Sequence, residues 1–337
     1  MRSQSEFTLA AIQAAPHFLD REASCEKACN LIVEAAQKDA NLAAFGETWL
    51  PGYPFFLSSD LPVVQDAAAQ YLESAVEIPS PITDRLCQAA GDAGIDVVIG
   101  VSEKDSNTHG TVYCTLLFIS SEGRILGRHR KLKPTGLERL AWGEGDGSSL
   151  RTYRREYGRI GGLNCWEHVM MLPAYALISQ GIQIHVASWP FPPALERNGR
   201  GKILTQALAV QGACYVISVT GFMDLENVPE QYREIDVAFR TKSSIGSCII
   251  APNSEVLAEA PPDEEAIITA RGSLDFIRRA KIGRDISGHY SRPDVLHLEV
   301  NQQKLDRSVF LGTDPPESFE EGNGSDQPAI VNELDLR

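Results

Sequence analysis

Short, continuous apolar runs recur along the chain, and they restrict its fold more than any other feature. Residues 7–14 (FTLAAIQA), 42–45, 96–102 (DVVIGVS), 114–120 (CTLLFIS), 159–164, 183–188 and 214–220 are each too short for a helix. They are also too uniformly apolar for strands with one wet face. Such runs belong to strands covered on both sides. Helical patterns separate several of them. Residues 22–39 put Cys25, Ala28, Cys29, Ile32, Ala35 and Ala36 on one face, the mark of an amphipathic helix. Residues 61–76, 81–94, 174–180, 201–212 and a short stretch near 274–280 also read as helices. Glu122-Gly123 predicts a hairpin turn into residues 124–126. Segments 245–251 and 256–260 flank a turn at Asn253-Ser254, and 266–270 adds a further strand. The alternation predicts an open α/β architecture. Periodicity does not decide between one sheet and two.

Charge narrows the function classes. Forty-five acidic against 31 basic residues give a net charge of -14, which argues against nucleic acid or an anionic membrane as partner. No run approaches the roughly 18–20 apolar residues that span a bilayer. Residues 1–6 carry no apolar signal core, and strand-like sequence follows at once. Seven scattered cysteines do not form a disulfide framework. We therefore expect a cytoplasmic chain. Cys25 and Cys29, with no second Cys or His pair nearby, read as core residues and not as metal ligands. One domain is expected over residues 1–313. Residues 314–337, rich in acidic residues, Pro and Gly, form a tail expected to be disordered or ordered only by a partner.

Chemistry concentrates where strands end. The run Arg159-Ile160-Gly161-Gly162-Leu163-Asn164 stops at Cys165-Trp166-Glu167-His168, which sets a thiol on a strand-to-helix turn. A nucleophilic thiol needs a base and a donor for negative charge on the substrate. His168, three residues on, is one candidate base, although it is equally placed to cap or pack at the helix start. Glu47 is a second candidate, at the carboxyl end of a buried strand where ligands gather in α/β folds. Lys131 follows the hairpin strand in Arg130-Lys131-Leu132-Lys133-Pro134-Thr135. Arg128, Arg130 and Lys133 read as a solvated basic loop.

Three motifs carry a family resemblance. Gly46-Glu47-Thr48, His129-Arg130-Lys131-Leu132-Lys133-Pro134-Thr135 and Gly162-Leu163-Asn164-Cys165-Trp166-Glu167-His168 resemble, in order and spacing, the Glu, Lys and Cys motifs of the nitrilase (carbon–nitrogen hydrolase) superfamily. The similarity runs from about residue 7 to about residue 299. Within it the chain looks like the nitrile-hydrolysing branch, on Cys165-Trp166-Glu167-His168, Glu138-Arg139 with Trp142-Gly143-Glu144-Gly145-Asp146-Gly147, the segment from Gln183 to Pro190, and Gly288-His289-Tyr290-Ser291-Arg292-Pro293-Asp294. It departs from the branch at Gly136, where many members have histidine, and at Val169-Met170-Met171-Leu172-Pro173-Ala174.

The resemblance implies a four-layer α-β-β-α sandwich, a homo-oligomer built from dimers that can extend into larger spirals, and no metal or organic cofactor. It implies Cys165 as nucleophile, Glu47 as general base, Lys131 as the cation that stabilises developing charge, and Glu138 as the second glutamate that holds Lys131. The expected substrates are a small-molecule nitrile and water. Tyr53, Trp166, His168, Trp189 and Pro190 are the candidate substrate-binding residues. Phe55 and Phe56 divide between pocket and core. Aromatic walls would suit an aryl nitrile or arylacetonitrile. The alternatives are a cyanide-degrading or amide-releasing member, an amidase, and a catalytically silent interaction protein.

Overall fold

The computed structural model describes residues 5–59, 62–190, 199–235, 245–262 and 264–305. Its strands form two six-stranded sheets. The first contains β1 (Glu6–Gln13), β2 (Leu42–Ala44), β3 (Asp96–Lys104), β4 (Val112–Ile119), β5 (Ile125–Arg130) and β12 (Ala266–Ser273), in the order β12-β1-β2-β3-β4-β5. The second contains β6 (Tyr153–Arg155), β7 (Gly158–Asn164), β8 (Ile184–Trp189), β9 (Tyr215–Thr220), β10 (Cys248–Ile250) and β11 (Val256–Glu259), in the order β11-β10-β9-β8-β7-β6. Each sheet has three parallel strands, β1-β2-β3 and β7-β8-β9, with antiparallel strands outside them.

Three hydrophobic layers hold this arrangement. Leu9, Ala11, Leu42, Val98, Leu116 and Phe118 of the first sheet meet Ile160, Ile184, Val186, Ile217 and Ile249 of the second, all essentially without solvent contact. Outside the first sheet lie α1 (Arg21–Gln37) and α3 (Pro81–Ala93). Cys25, Ala28 and Ile32 of α1 and Leu86 and Ala90 of α3 pack on Ala10, Ile12, Ala43, Val97 and Ile99. Outside the second sheet, α4 (Met171–Ser179) and α5 (Arg200–Gly212) bring Ala176, Leu177, Leu208 and Ala209 onto Leu163, Ala187 and Val216. Each Leu, Ile, Val or Phe among these, removed from water, contributes about 1.5–3 kcal/mol. The strands are apolar on both faces because each sheet has a sheet on one side and helices on the other, the expected α-β-β-α sandwich. Gly162 lets the layers approach: a Cβ there would stand 3.1 Å from Leu116 Cδ1 of the first sheet, besides meeting the Val186 carbonyl oxygen of neighbouring β8 at 2.6 Å.

Several boundaries differ from the sequence reading. Helix α4 begins at Met171, three residues early, because Pro173 falls in its first turn, where no backbone donor is needed. A short helix, α2 (Val64–Ser74), fills the middle of the stretch predicted at 61–76, and α6 (Leu274–Ile282) follows β12. Strand β6 carries no apolar run and had no signal. Arg128 and Arg130 are not a solvated loop. They lie on β5 and pair with Glu103, which is 1% exposed; only Lys133 keeps an exposed partner, Glu144. Cys25 is core, and Cys29 packs against it. The described elements belong to one compact unit that ends at Lys304. The expected boundary at 313 and the acidic tail lie outside the described residues.

Candidate active site

Glu47 is carried by the end of β2 and fastened to the other sheet. Its N–H donates to the Trp189 carbonyl (3.0 Å), and the Ser188 hydroxyl donates to the Phe45 carbonyl (3.0 Å). The chain then turns sharply, with Thr48 at φ 42°. This turn lies against Gly100 of β3, where a Cβ would stand 2.5 Å from the Thr48 nitrogen. Any larger residue would push the glutamate's backbone away.

Lys131 follows β5 and is held by its own N–H, which donates to the Cys114 carbonyl (2.8 Å). It is 0% exposed. Its Nζ donates to Glu47 Oε1 and to Glu138 Oε2, both at 2.7 Å. The Cys114 thiol donates to the same Glu47 oxygen (3.3 Å), while Glu47 Oε2 is buried with no hydrogen-bond partner among the described residues. Glu138 sits in a single 3₁₀ turn, Gly136–Leu140. It accepts the Thr135 N–H (2.6 Å) at Oε2 and the Tyr53 hydroxyl (2.8 Å) at Oε1. Trp142 presents its ring to Lys131 Nζ at 5.4 Å.

Cys165 opens the 3₁₀ turn Cys165–Val169 directly after β7, with φ at +46°. A non-glycine residue in the left-handed region stores strain of order 1 kcal/mol and is held there by its surroundings. Part of that hold comes from Glu167. Its carboxylate accepts the Asn164 N–H (2.9 Å), the Leu132 N–H (2.8 Å) and a bond from His129 Nε2 (3.1 Å). One buried side chain thus ties the residue before Cys165 to the residue after Lys131. The Cys165 thiol and one oxygen each of Glu47 and Glu138 lie within 4.8 Å of one another. Three such groups could hold a cation, and the Lys131 ammonium is the cation between the carboxylates.

Burial shapes the charges. It pushes the Glu47 carboxyl up to about 7; Lys131 opposes the rise and Glu138 adds to it. Burial and then Glu47 push the Cys165 thiol well above its ordinary value, against Lys131 and the Trp166 N–H. Burial also works against the Lys131 charge, but Glu47, Cys165, Cys114 and Glu138 outweigh it and carry the ammonium well above its ordinary range. The resting arrangement is a neutral thiol beside a charged lysine and a carboxylate able to take a proton near neutrality. For Glu167 burial is outweighed by His129 and the two N–H donors, so that carboxyl is held below its usual range.

Cys165 is also part of the wall of a pocket open to solvent. Trp166, Trp189 and Pro190 of the expected binding set line it, together with Lys202, Ser218, Thr220, Ile245 and Cys248. Tyr53 and His168 lie elsewhere: Tyr53 bonds Glu138, and the His168 Nδ1 bonds the Cys165 carbonyl (2.7 Å). Phe55 and Phe56 are in a buried aromatic cluster with Phe18, Tyr71 and Trp142, so they are core. The sequence reading passed over Glu167, His129 and Cys114 as parts of the site.

The sequence profile of the carbon–nitrogen hydrolase family matches residues 8–282. "Nitrilase 2" of an unknown prokaryotic organism is 50% identical over 313 residues, covering 92% of this chain and 97% of its own. The aliphatic nitrilase of Rhodococcus rhodochrous is 38% identical over 311 residues, 88% of this chain and 83% of its own. Among solved structures, Saccharomyces cerevisiae Nit3, a member of branch 10 of the nitrilase superfamily, superposes with a TM-score of 0.68 at 20% identity, over 83% of this chain and 94% of its own. That likeness concerns the fold. The chain belongs to the carbon–nitrogen hydrolase family, in the nitrilase group that its curated relatives represent. It is accordingly a hydrolase acting on carbon–nitrogen bonds.

Proposed function

We propose that the enzyme hydrolyses an organic nitrile to the carboxylic acid and ammonia, with Cys165 as nucleophile. The observation that carries this is the buried Glu47–Lys131–Glu138 cluster with the thiol in reach of both carboxylates. Glu47 takes the thiol proton as sulfur attacks the nitrile carbon, and the proton passes to nitrogen, leaving a thioimidate. Lys131 and the Trp166 N–H stabilise the charge that develops on nitrogen. Water, deprotonated by Glu47, adds to the thioimidate carbon. The C–N bond then breaks with protonation of nitrogen, and ammonia leaves a thioester. A second water cleaves the C–S bond, giving the acid and the free thiol. Breaking C–S before C–N in the first tetrahedral intermediate would release the amide instead. A relative from Nicotiana tabacum, 37% identical, is named a bifunctional nitrilase/nitrile hydratase, so the amide fraction of the product is the quantity that separates the two outcomes. Mass spectrometry of enzyme quenched during turnover should find the acyl or imidate adduct on Cys165. An unmodified Cys165 under steady turnover would overturn the scheme.

The cavity, with Trp166 and Trp189 in its wall, favours an aryl nitrile or arylacetonitrile over cyanide. Relative rates on phenylacetonitrile, benzonitrile, a short dinitrile and cyanide test this. Exposed Met171 and Leu172 at the start of α4 (77% and 64%) support assembly with further copies. We read residues 314–337 as a solubilising extension, so truncation near 313 should leave the assembly unchanged in size-exclusion. Seven unpaired cysteines suit a reducing, cytoplasmic setting, and among the described residues no helix is long and apolar enough to cross a membrane.

A further inference from the structure

The motif residue His168 has no part in the scheme above, yet it is buried and its nitrogens are fully engaged. Its Nδ1 lies 2.7 Å from the Cys165 carbonyl oxygen. Its Nε2 lies 2.9 Å from Nε2 of His185, on the neighbouring strand β8. A carbonyl offers no proton, so His168 Nδ1 must carry one. Burial lowers the His168 pKa to about 4 and the His185 pKa well below its usual value, so both rings are neutral at working pH. His168 Nε2 is then a bare acceptor, and the proton between the rings belongs to His185. Only one arrangement satisfies every atom: His185 donates to His168, which donates to the Cys165 carbonyl. The His168 ring cannot turn out of this position. It stacks on Trp189 (centroids 4.9 Å apart, 27° between planes) and meets His185 edge-on at 86°.

The carbonyl that His168 holds belongs to the peptide linking Cys165 to Trp166. In a trans peptide the C=O and the N–H point in opposite directions, so fixing the Cys165 oxygen fixes the Trp166 N–H. That N–H faces the Cys165 sulfur, where it favours the thiolate. It is where an atom bonded to the attacked carbon would come. The preceding φ of +46° makes this the peptide most in need of an anchor, because relaxation of Cys165 towards negative φ would swing the N–H away. A hydrocarbon at position 168 could fill the space but could not hold the carbonyl.

We propose that His168, backed by His185, is a positioning residue that aims the Trp166 N–H at the substrate atom on which negative charge develops. The inference rests on the reading of Cys165 as nucleophile. It predicts an atom-specific pattern: Asn at 168 places its amide nitrogen near the site of Nδ1, whereas Gln places it near Nε2 and Leu supplies no donor. The test measures kcat and KM on one nitrile for wild type, His168→Asn, His168→Gln and His168→Leu, together with the rate at which iodoacetamide alkylates Cys165. Displacement on iodoacetamide places its developing charge on the leaving iodide, so the Trp166 N–H reaches that rate only through the thiolate it favours. We expect Leu and Gln to lose roughly 10²-fold in kcat with KM little changed, the scale of a donor misplaced by about 1 Å. Asn should stay within about tenfold of wild type, because it restores the donor with less than that misplacement. Alkylation should fall far less than kcat in Leu and Gln, since the Trp166 N–H reaches it only through the thiolate. Full kcat in His168→Leu, an Asn variant as poor as Gln, or alkylation falling in step with kcat would each overturn the inference. If His168→Leu does not fold, the Asn–Gln contrast still decides. Absence of any Cys165 adduct in turning-over wild type would instead remove the functional reading on which it rests.

Discussion

Replacing Glu138 with Gln isolates the electrostatics of the site from its shape. The glutamine oxygen can keep the bonds from Lys131 and the Thr135 N–H, while its amide nitrogen donates to the Tyr53 hydroxyl oxygen in place of the bond that Tyr53 now gives. What changes is one negative charge within 4.8 Å of the Glu47 carboxylate. Two unit charges at that separation repel by about 3 kcal/mol at an effective dielectric of about 20, or about two pH units of carboxyl pKa. Lys131 between them reduces this, so a shift of about one to two units is expected. The direction is fixed: Glu138 contributes to raising the Glu47 pKa to about 7, so E138Q must lower it. A base has to be ionised to act, so kcat/KM of the wild type should fall as pH drops through about 7. The acid limb of E138Q should lie lower, whatever its absolute rate. Stability follows the same shift. With its folded pKa above the ordinary 4.5, Glu47 contributes stability that is fully present below that value and lost as pH rises through about 7. In E138Q that loss should be smaller and complete at lower pH. A pH profile of kcat/KM with its acid limb unmoved, or moved upward, would refute this account of the cluster.

Four further substitutions probe separate parts of the site. Cys165→Ala should abolish turnover in a folded enzyme, and Glu47→Gln should lower kcat by roughly 10²–10⁴-fold, both read by ammonia release beside far-ultraviolet circular dichroism. Gly100→Ala should cost about 3 kcal/mol or more, because its Cβ meets backbone atoms of Gly46, Glu47 and Thr48 and not movable side chains. Thermal melting of that variant at the wild-type temperature would contradict the close approach. Glu167→Gln leaves one oxygen to serve the Leu132 and Asn164 N–H groups and turns an amide towards His129. It should cost about 3 kcal/mol of stability and lower kcat as Lys131 and Cys165 drift apart; unchanged Tm and kcat together would remove its tying role.

The layers were legible because the central strands are apolar on both faces, and only a sheet covered twice produces that pattern. Glu47 and Cys165 were legible as polar residues stranded where apolar runs end. Lys131 was legible as a candidate after the hairpin strand, but its role came only through the resemblance, because the pattern around it is that of an ordinary basic loop. The same loop concealed Arg128 and Arg130, whose partner Glu103 lies on β3, two strands across the first sheet. The bond from Tyr53 to Glu138 was not legible, because the two residues are 85 positions apart. The His168–His185 bond was out of reach for a further reason, since it depends on β7 and β8 being neighbours in register, with Gly161 opposite His185. Local pattern therefore revealed which residues are polar at strand ends, but not which of them meet.

That limit has a structural cause. The groups that meet come from both sheets: Glu47, Lys131 and Glu138 follow strands of the first, and Cys165 follows β7 of the second. Their separation is set by bonds that cross between sheets, from the Glu47 N–H to the Trp189 carbonyl and from Leu132 and Asn164 to the one Glu167 carboxylate. A substitution within either sheet that moved its layer by 1 Å would separate base from nucleophile as effectively as deleting one of them. Two conformationally demanding residues lie at this seam, Thr48 on one side and Cys165 on the other, both at positive φ. Thr48 follows the Glu47 N–H that bonds the Trp189 carbonyl, and the Cys165 carbonyl is bonded by His168. The chemistry thus depends less on any single side chain's pKa than on the rigidity with which two sheet ends face each other.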